Sequence, residues 1–219
     1  MVGKNAFFEV YSLLFDHFGP QGWWPGDTTI EIVVGAVLTQ NTNWTNVRKA
    51  VANLQVAGLL DFTHLVDLPL SVLAEYIRPS GYYNIKAKRL KNLLLMVGDR
   101  YQGDLELLLS DETDRARKNL LSVKGIGPET ADSILLYAGG HPVFVIDAYT
   151  HRVFSRHGLV AEDAGYHEIQ EDFERHLPRD VGLFNEFHAL IVMLGKHYCK
   201  KTNPLCGSCP LRGFNGLME

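Results

Sequence analysis

Apolar residues recur at helical spacing along most of this chain. Phe7, Phe8, Val10, Tyr11, Leu13, Leu14 and Phe18 predict a core-packed helix between Asn5 and Phe18, ended by Gly19-Pro20. Asp27 and Thr28 are candidate caps for a largely buried helix over Thr29–Gln40. The polar cluster Gln40-Asn41-Thr42-Asn43 then leads into a helix over Asn46–Val56. Two short helices are predicted between Asp61 and Tyr76. The breaker-rich stretch from Arg78 to Gly81 opens a basic helix whose apolar face is Leu90, Leu93, Leu94 and Val97. Further helices are predicted just beyond Gly103, over Arg115–Ser122, from Pro128, over Asp163–His176 and over Gly182–Lys196. Strict alternation is almost absent, and no internal repeat or low-complexity segment interrupts the pattern. The predicted fold class is therefore all-α.

The stretch from Leu120 to Arg152 carries the candidate chemistry. Gly125-Ile126-Gly127 lies between two apolar runs and reads as a tight turn, with Pro128 in the first position of a new helix. Unpaired amides at such a helix start hold a phosphate without side-chain charge, although an ordinary helix-turn-helix corner gives the same pattern. Downstream, the apolar run Val143-Phe144-Val145-Ile146 ends at Asp147. That carboxylate either caps the next helix or serves as a general base or counter-ion for a developing cation.

Leu120-x-x-Val123-x-Gly125-Ile126-Gly127, with Val145-Ile146-Asp147 placing its aspartate twenty residues after Gly127, resembles the helix-hairpin-helix (HhH-GPD) DNA glycosylases of the endonuclease III superfamily. The resemblance implies a two-lobed helical fold with the active-site cleft between the lobes. One lobe is expected over residues 28–138, ending in the hairpin, and the other over 1–27 plus 139–219. It further implies a base-excision-repair enzyme that flips a damaged base out of double-stranded DNA and hydrolyses its N-glycosidic bond, with Asp147 catalytic. On this resemblance Lys124, Gly125, Ile126 and Gly127 bind the DNA backbone, and Gln40 fills the gap left by the extruded base. The Gly81-to-Ala87 segment implies that Lys86 and Lys88 lie close to phosphates.

Bifunctional members of the family carry a Schiff-base lysine two residues after the second hairpin glycine. This chain has Glu129 there, which implies a monofunctional enzyme that uses water. Glu129 then contacts the extruded base or organises the water, unless it is an exposed first-turn glutamate favoured by the helix dipole. The Trp23-Trp24-Pro25 loop, Gln40 to Trp44, Arg78 to Asn84 and Gly125 to Asp132 together look most like the endonuclease III-like 3-methyladenine DNA glycosylases. That likeness implies Trp23, Trp24 and Trp44 as an aromatic lining for a cationic base. Lys196 lies near such a pocket or reaches out to solvent.

All three cysteines close the chain as Cys199-x6-Cys206-x2-Cys209, a grouping suited to iron–sulfur or zinc ligation and not to a disulfide. The family holds a 4Fe–4S cluster by Cys-x6-Cys-x2-Cys-x5-Cys, and its fourth position is Asn215 here. Three readings stay open: a cluster completed by another ligand or held labile, a remnant that binds no metal, and a Cys3His zinc site using His197.

The composition, 219 residues with 46% hydrophobic, allows a substantial core, and the formal charge of −4 excludes a uniformly basic nucleic-acid binder. No signal pattern is visible and the apolar runs are too short to span a bilayer, so a soluble, cytoplasmic protein is expected; the resemblance implies that it is nucleoid-associated and acts as a monomer. Two other functions fit parts of the pattern. One is an endonuclease III-type glycosylase and lyase for oxidised or mismatched pyrimidines, with Lys124 or another amine as nucleophile. The other is a helix-hairpin-helix DNA-binding module without catalysis.

Overall fold

Side-chain caps set where most of the helices begin. Asn5 accepts from the amides of Phe7 and Phe8, Thr28 from Glu31, Asn43 from Asn46, Asp61 from His64 and Asp180 from Leu183, each satisfying an amide that the first helical turn leaves unpaired. The computed structural model describes residues 5–23 and 26–214. Its α-helices are α1 (Ala6–Phe18), α2 (Thr29–Leu38), α3 (Trp44–Val56), α4 (Phe62–Asp67), α5 (Leu70–Tyr76) and α6 (Tyr83–Tyr101). They continue with α7 (Leu105–Leu109), α8 (Thr113–Leu121), α9 (Pro128–Tyr137), α10 (Ala148–Arg156), α11 (Tyr166–His176) and α12 (Val181–His197). No strand occurs among the described residues, so the fold is all-α as the periodicity predicts. No described helix is long and apolar enough to cross a membrane.

Several boundaries differ from the sequence pattern by one to three residues, and two of them have a clear local reason. The Asn43 cap starts α3 two residues before the expected Asn46, and α2 ends at Leu38 because the chain turns through Thr39 toward Asn41, whose φ is 53°.

The chain divides into two compact units. One uses the chain up to Trp23 and from Pro142 onward; the other is the intervening segment ending at His141. The first is built on aromatic packing: Phe144 stacks on Phe173 with centroids 4.0 Å apart, and Phe7 meets the Phe173 edge at 4.9 Å. The buried run 143–146 joins no strand among the described residues, and α11 side chains satisfy the backbone of Phe144. Glu174 accepts from the Phe144 amide, and Gln170 donates to the Phe144 carbonyl. Gly195 lets α12 approach α10, since a Cβ there would come within 2.2 Å of the Tyr149 ring.

In the second unit α2 is buried from Val33 to Leu38 against α3, α6 and α9. The helices α8 and α9 form a hairpin, held by a bidentate ion pair from Arg117 to the fully buried Asp132, at 2.6 Å from Nε and 3.0 Å from Nη2.

Candidate active site

At the hairpin between α8 and α9, Gly125 has φ +100°, and an added Cβ would meet Arg89 Cγ at 2.4 Å, so both backbone and space require glycine. Gly127 is the N-cap of α9 without a side-chain cap, and Pro128 follows it. Among the described residues the Gly125 and Gly127 amides have no acceptor, which leaves them available to an oxyanion. Lys124 is exposed beside them, its carbonyl held by Asn92 Nδ2 at 3.0 Å. Ile126 corrects the sequence expectation. Its side chain is buried under the turn and its amide donates to the Val123 carbonyl at 3.0 Å, so these two groups shape the hairpin and are not open to a phosphate.

Gln40 lies beside this turn. Its amide nitrogen donates to the Gly125 carbonyl at 3.2 Å and to Thr130 Oγ1 at 2.9 Å, and its oxygen accepts from Arg89 Nη1. The sequence puts Arg89 in a run of basic residues, which gives no sign of its place at this turn. The signal available was Gly125 itself, a residue that makes room for a neighbour.

Lys88 is exposed, but Lys86 is not, which overturns its placement at a phosphate. Only 1% of Lys86 is accessible, and its Nζ donates to the carbonyls of Leu38 at 2.8 Å and Ser80 at 2.6 Å. It ties the C-terminal end of α2, just before Gln40, to the turn that carries Tyr82, an exposed residue in the left-handed region at φ 47°. An ammonium has three donors where the structure supplies two acceptors. Burial, assisted by the nearby Arg89 charge, lowers the Lys86 pKa to about 8. A folded pKa below the unfolded one makes the unfolded chain the better proton binder between about 8 and 10.5. The penalty is thus fully present below pH 8 and is relieved as pH rises. Urea unfolding of the wild type and Lys86→Met between pH 7 and 10 is expected to show the difference moving in favour of the wild type, by up to about 3 kcal/mol across the full window. A flat or opposite trend would mean that the buried charge is not penalised.

In the other unit Asp147 caps α10: its Oδ1 accepts from the Thr150 amide at 2.7 Å and from Thr150 Oγ1 at 3.0 Å. The second oxygen, Oδ2, faces His188 Nε2 at 3.7 Å, and both side chains are largely buried. Burial pushes the His188 pKa down, against the opposing pull of Asp147, which keeps the imidazole neutral at neutral pH. Capping leaves Asp147 with one oxygen for other work. His188 escaped sequence reading inside the apolar run of α12. Trp23 and Lys196 share this unit, with Nζ 5.8 Å from the indole centroid; Lys196 is exposed, so the cation lies over a ring while reaching solvent.

Glu129 is exposed in the first turn of α9, and Trp44 is half-buried as the first residue of α3; both belong to the second unit. Trp24 lies outside the described residues, as does Asn215.

The cysteine tail brings three thiols together. Cys199, Cys206 and Cys209 line one cavity of about 230 Å³ with Arg156, His157, Tyr198 and Arg212. Arg156 Nη1 donates to Cys199 Sγ at 3.4 Å. No three His, Cys, Asp or Glu side chains among the described residues are arranged to hold a single metal ion. A mononuclear site with Zn–S bonds of about 2.3 Å would need its thiolates in mutual contact, whereas a polynuclear cluster spreads them around a cavity. Three thiols that line one cavity with guanidinium groups are soft donors of the kind that hold an iron–sulfur cluster. His197, the ligand considered for zinc, is exposed and does not line this cavity.

Comparison with known proteins agrees with this geometry. The HhH-GPD superfamily base excision DNA repair protein profile matches residues 34–179. The Methanocaldococcus jannaschii protein MJ1434, named provisionally as a DNA repair glycosylase, is 47% identical over 208 residues, 94% of either chain. Endonuclease III of Sulfolobus acidocaldarius is 27% identical over 83% of this chain and 79% of its own. Among solved structures, the H. pylori 3-methyladenine DNA glycosylase MagIII bound to 1,N6-ethenoadenine superposes with a TM-score of 0.75 at 33% identity, over 87% of this chain and 97% of that one. An endonuclease III–DNA complex shares the fold, with a TM-score of 0.80 at 23% identity over 96% and 94% of the two chains. With hairpin, aspartate and profile in agreement, the chain belongs to the HhH-GPD superfamily of base excision DNA repair glycosylases.

Proposed function

We propose that this glycosylase is monofunctional and removes alkylated purines such as 3-methyladenine from double-stranded DNA, acting as a single chain. The observation that carries the reading is Glu129: the hairpin position at which lyase members of the family hold their amine bears an exposed carboxylate, which forms no Schiff base. The 33% identity to MagIII, a 3-methyladenine glycosylase, supports the same substrate class. A purine alkylated on a ring nitrogen is cationic, so it departs with the electron pair of its N-glycosidic bond and needs little acid catalysis. Charge then develops on the sugar. Asp147 Oδ2 stabilises that cation or takes the proton of the water that bonds to the anomeric carbon, while neutral His188 adds no competing positive charge. Trp23 and Trp44 offer ring faces to a cationic base, the Gly125 and Gly127 amides hold a phosphate, and Gln40 fills the vacated stack.

The cysteine tail belongs to the same reading as the seat of a 4Fe–4S cluster held by Cys199, Cys206 and Cys209. When bound, the cluster would anchor the tail and supply one-electron chemistry that base hydrolysis does not use.

The purified protein incubated with methylated duplex, and with duplex containing an oxidised pyrimidine, separates the alternatives. The expected result is release of methylated adenine, with strand breaks only after alkali. Direct cleavage at oxidised pyrimidines would instead favour the endonuclease III-type reading and an amine elsewhere, Lys124 being the exposed one at the hairpin.

A further inference from the structure

We infer that His157 supplies, through Nε2, the fourth ligand of the cluster, in the role that the family gives to a cysteine at the position of Asn215. The inference rests on the reading of the tail as a cluster site. His157 is the C-cap of α10, far in sequence from the cysteines, yet it lines the same cavity as all three thiols.

Three contacts around that cavity have the form of a prepared site. Nδ1 of His157 faces the Phe214 carbonyl at 3.4 Å; with its proton donated there, Nε2 keeps the lone pair that a metal takes. Arg156, one residue earlier, donates to Cys199 Sγ at 3.4 Å and to the carbonyls of Lys200 at 2.8 Å and Lys201 at 3.1 Å. The Leu211 amide points to the Cys209 thiol. A hydrogen bond to one sulfur, an amide directed at a second and one ring nitrogen fixed by a carbonyl are contacts of the kind that orient and tune metal ligands.

Charge agrees with this assignment. Three thiols lose protons on binding and a neutral imidazole adds no charge, so the site carries one negative charge fewer than a four-thiolate site. Replacing thiolate by imidazole raises a cluster's reduction potential.

The test uses the full chain purified without oxygen and reconstituted with ferrous iron and sulfide, alongside His157→Ala and His157→Cys. The wild type is expected to retain about four irons per chain. Pulsed paramagnetic resonance of its reduced cluster should show coupling to an imidazole nitrogen. His157→Cys should keep all the iron, lose the nitrogen coupling and show a lower reduction potential, while His157→Ala should shed one iron on mild oxidation. A wild-type cluster without nitrogen coupling, or with coupling that survives in His157→Ala, overturns the assignment of His157 and leaves the cluster reading standing. Wild-type protein that retains no iron overturns both. If His157→Ala fails to fold, loss of the nitrogen coupling in His157→Cys makes the assignment, and a wild-type spectrum without that coupling overturns it on its own.

Discussion

Asp147→Asn is expected to slow base release by about three orders of magnitude, the scale on which removal of one well-placed electrostatic group from a transition state is felt. The substitution is selective because the carboxylate has two separable tasks. Oδ1 caps α10 through Thr150, and an asparagine oxygen caps almost as well. On the proposed mechanism Oδ2, opposite His188, is the oxygen that faces the developing charge. The variant should therefore melt close to the wild type, bind damaged duplex with similar affinity in fluorescence anisotropy, and fail in single-turnover release of methylated adenine. Asp147→Ala should fail equally in catalysis and also lose about 1 kcal/mol of stability with the cap. Release by Asp147→Asn within tenfold of the wild type would remove Asp147 from the chemistry and leave it as a cap alone. A variant that binds DNA normally without releasing base would, conversely, argue against a purely DNA-binding module.

The residues that could be read from the sequence are those whose local pattern is their cause. A glycine pair followed by proline makes a turn and a helix start wherever it occurs, and an aspartate after an apolar run makes a cap. The residues missed depend on partners elsewhere in the chain. Lys86 reads, beside Lys88, as a contact to phosphate. In α6, however, it belongs to the same buried stripe as Leu90, Leu93 and Val97, and its charge is balanced by carbonyls that only the folded chain brings near. His188 similarly shares a buried stripe of α12 with Phe184, Ile191 and Gly195. Those two were visible to a stricter use of helical periodicity. His157 was not: nothing in its neighbourhood marks a ligand, and its place beside the cysteines follows from the packing of α10 on α12.

Disrupting the Arg117–Asp132 pair is expected to be among the most destabilising single changes in the hairpin. Asp132 is fully buried and accepts both arms of the guanidinium, while Arg117 keeps 19% of its side chain accessible. Removing one partner from such a pair costs about 3–5 kcal/mol because the other charge stays behind with its ion-pair compensation lost. The two sides are unequal. Arg117→Met takes both arms of the guanidinium from a carboxylate with no access to water and should fall at the upper end of that range; Asp132→Ala takes the carboxylate from a guanidinium that already touches solvent and should fall at the lower end. Urea unfolding of both variants measures the difference, and the double replacement Arg117→Met with Asp132→Leu should recover much of the loss, since no buried charge remains. The same pair fixes α9 against α8, and α9 carries Thr130, one of the two hairpin acceptors of Gln40. If the pair also sets the hairpin for DNA, the stable double variant should bind duplex more weakly than the wild type despite its recovered stability. Wild-type affinity in that variant would show that packing alone holds the hairpin in register.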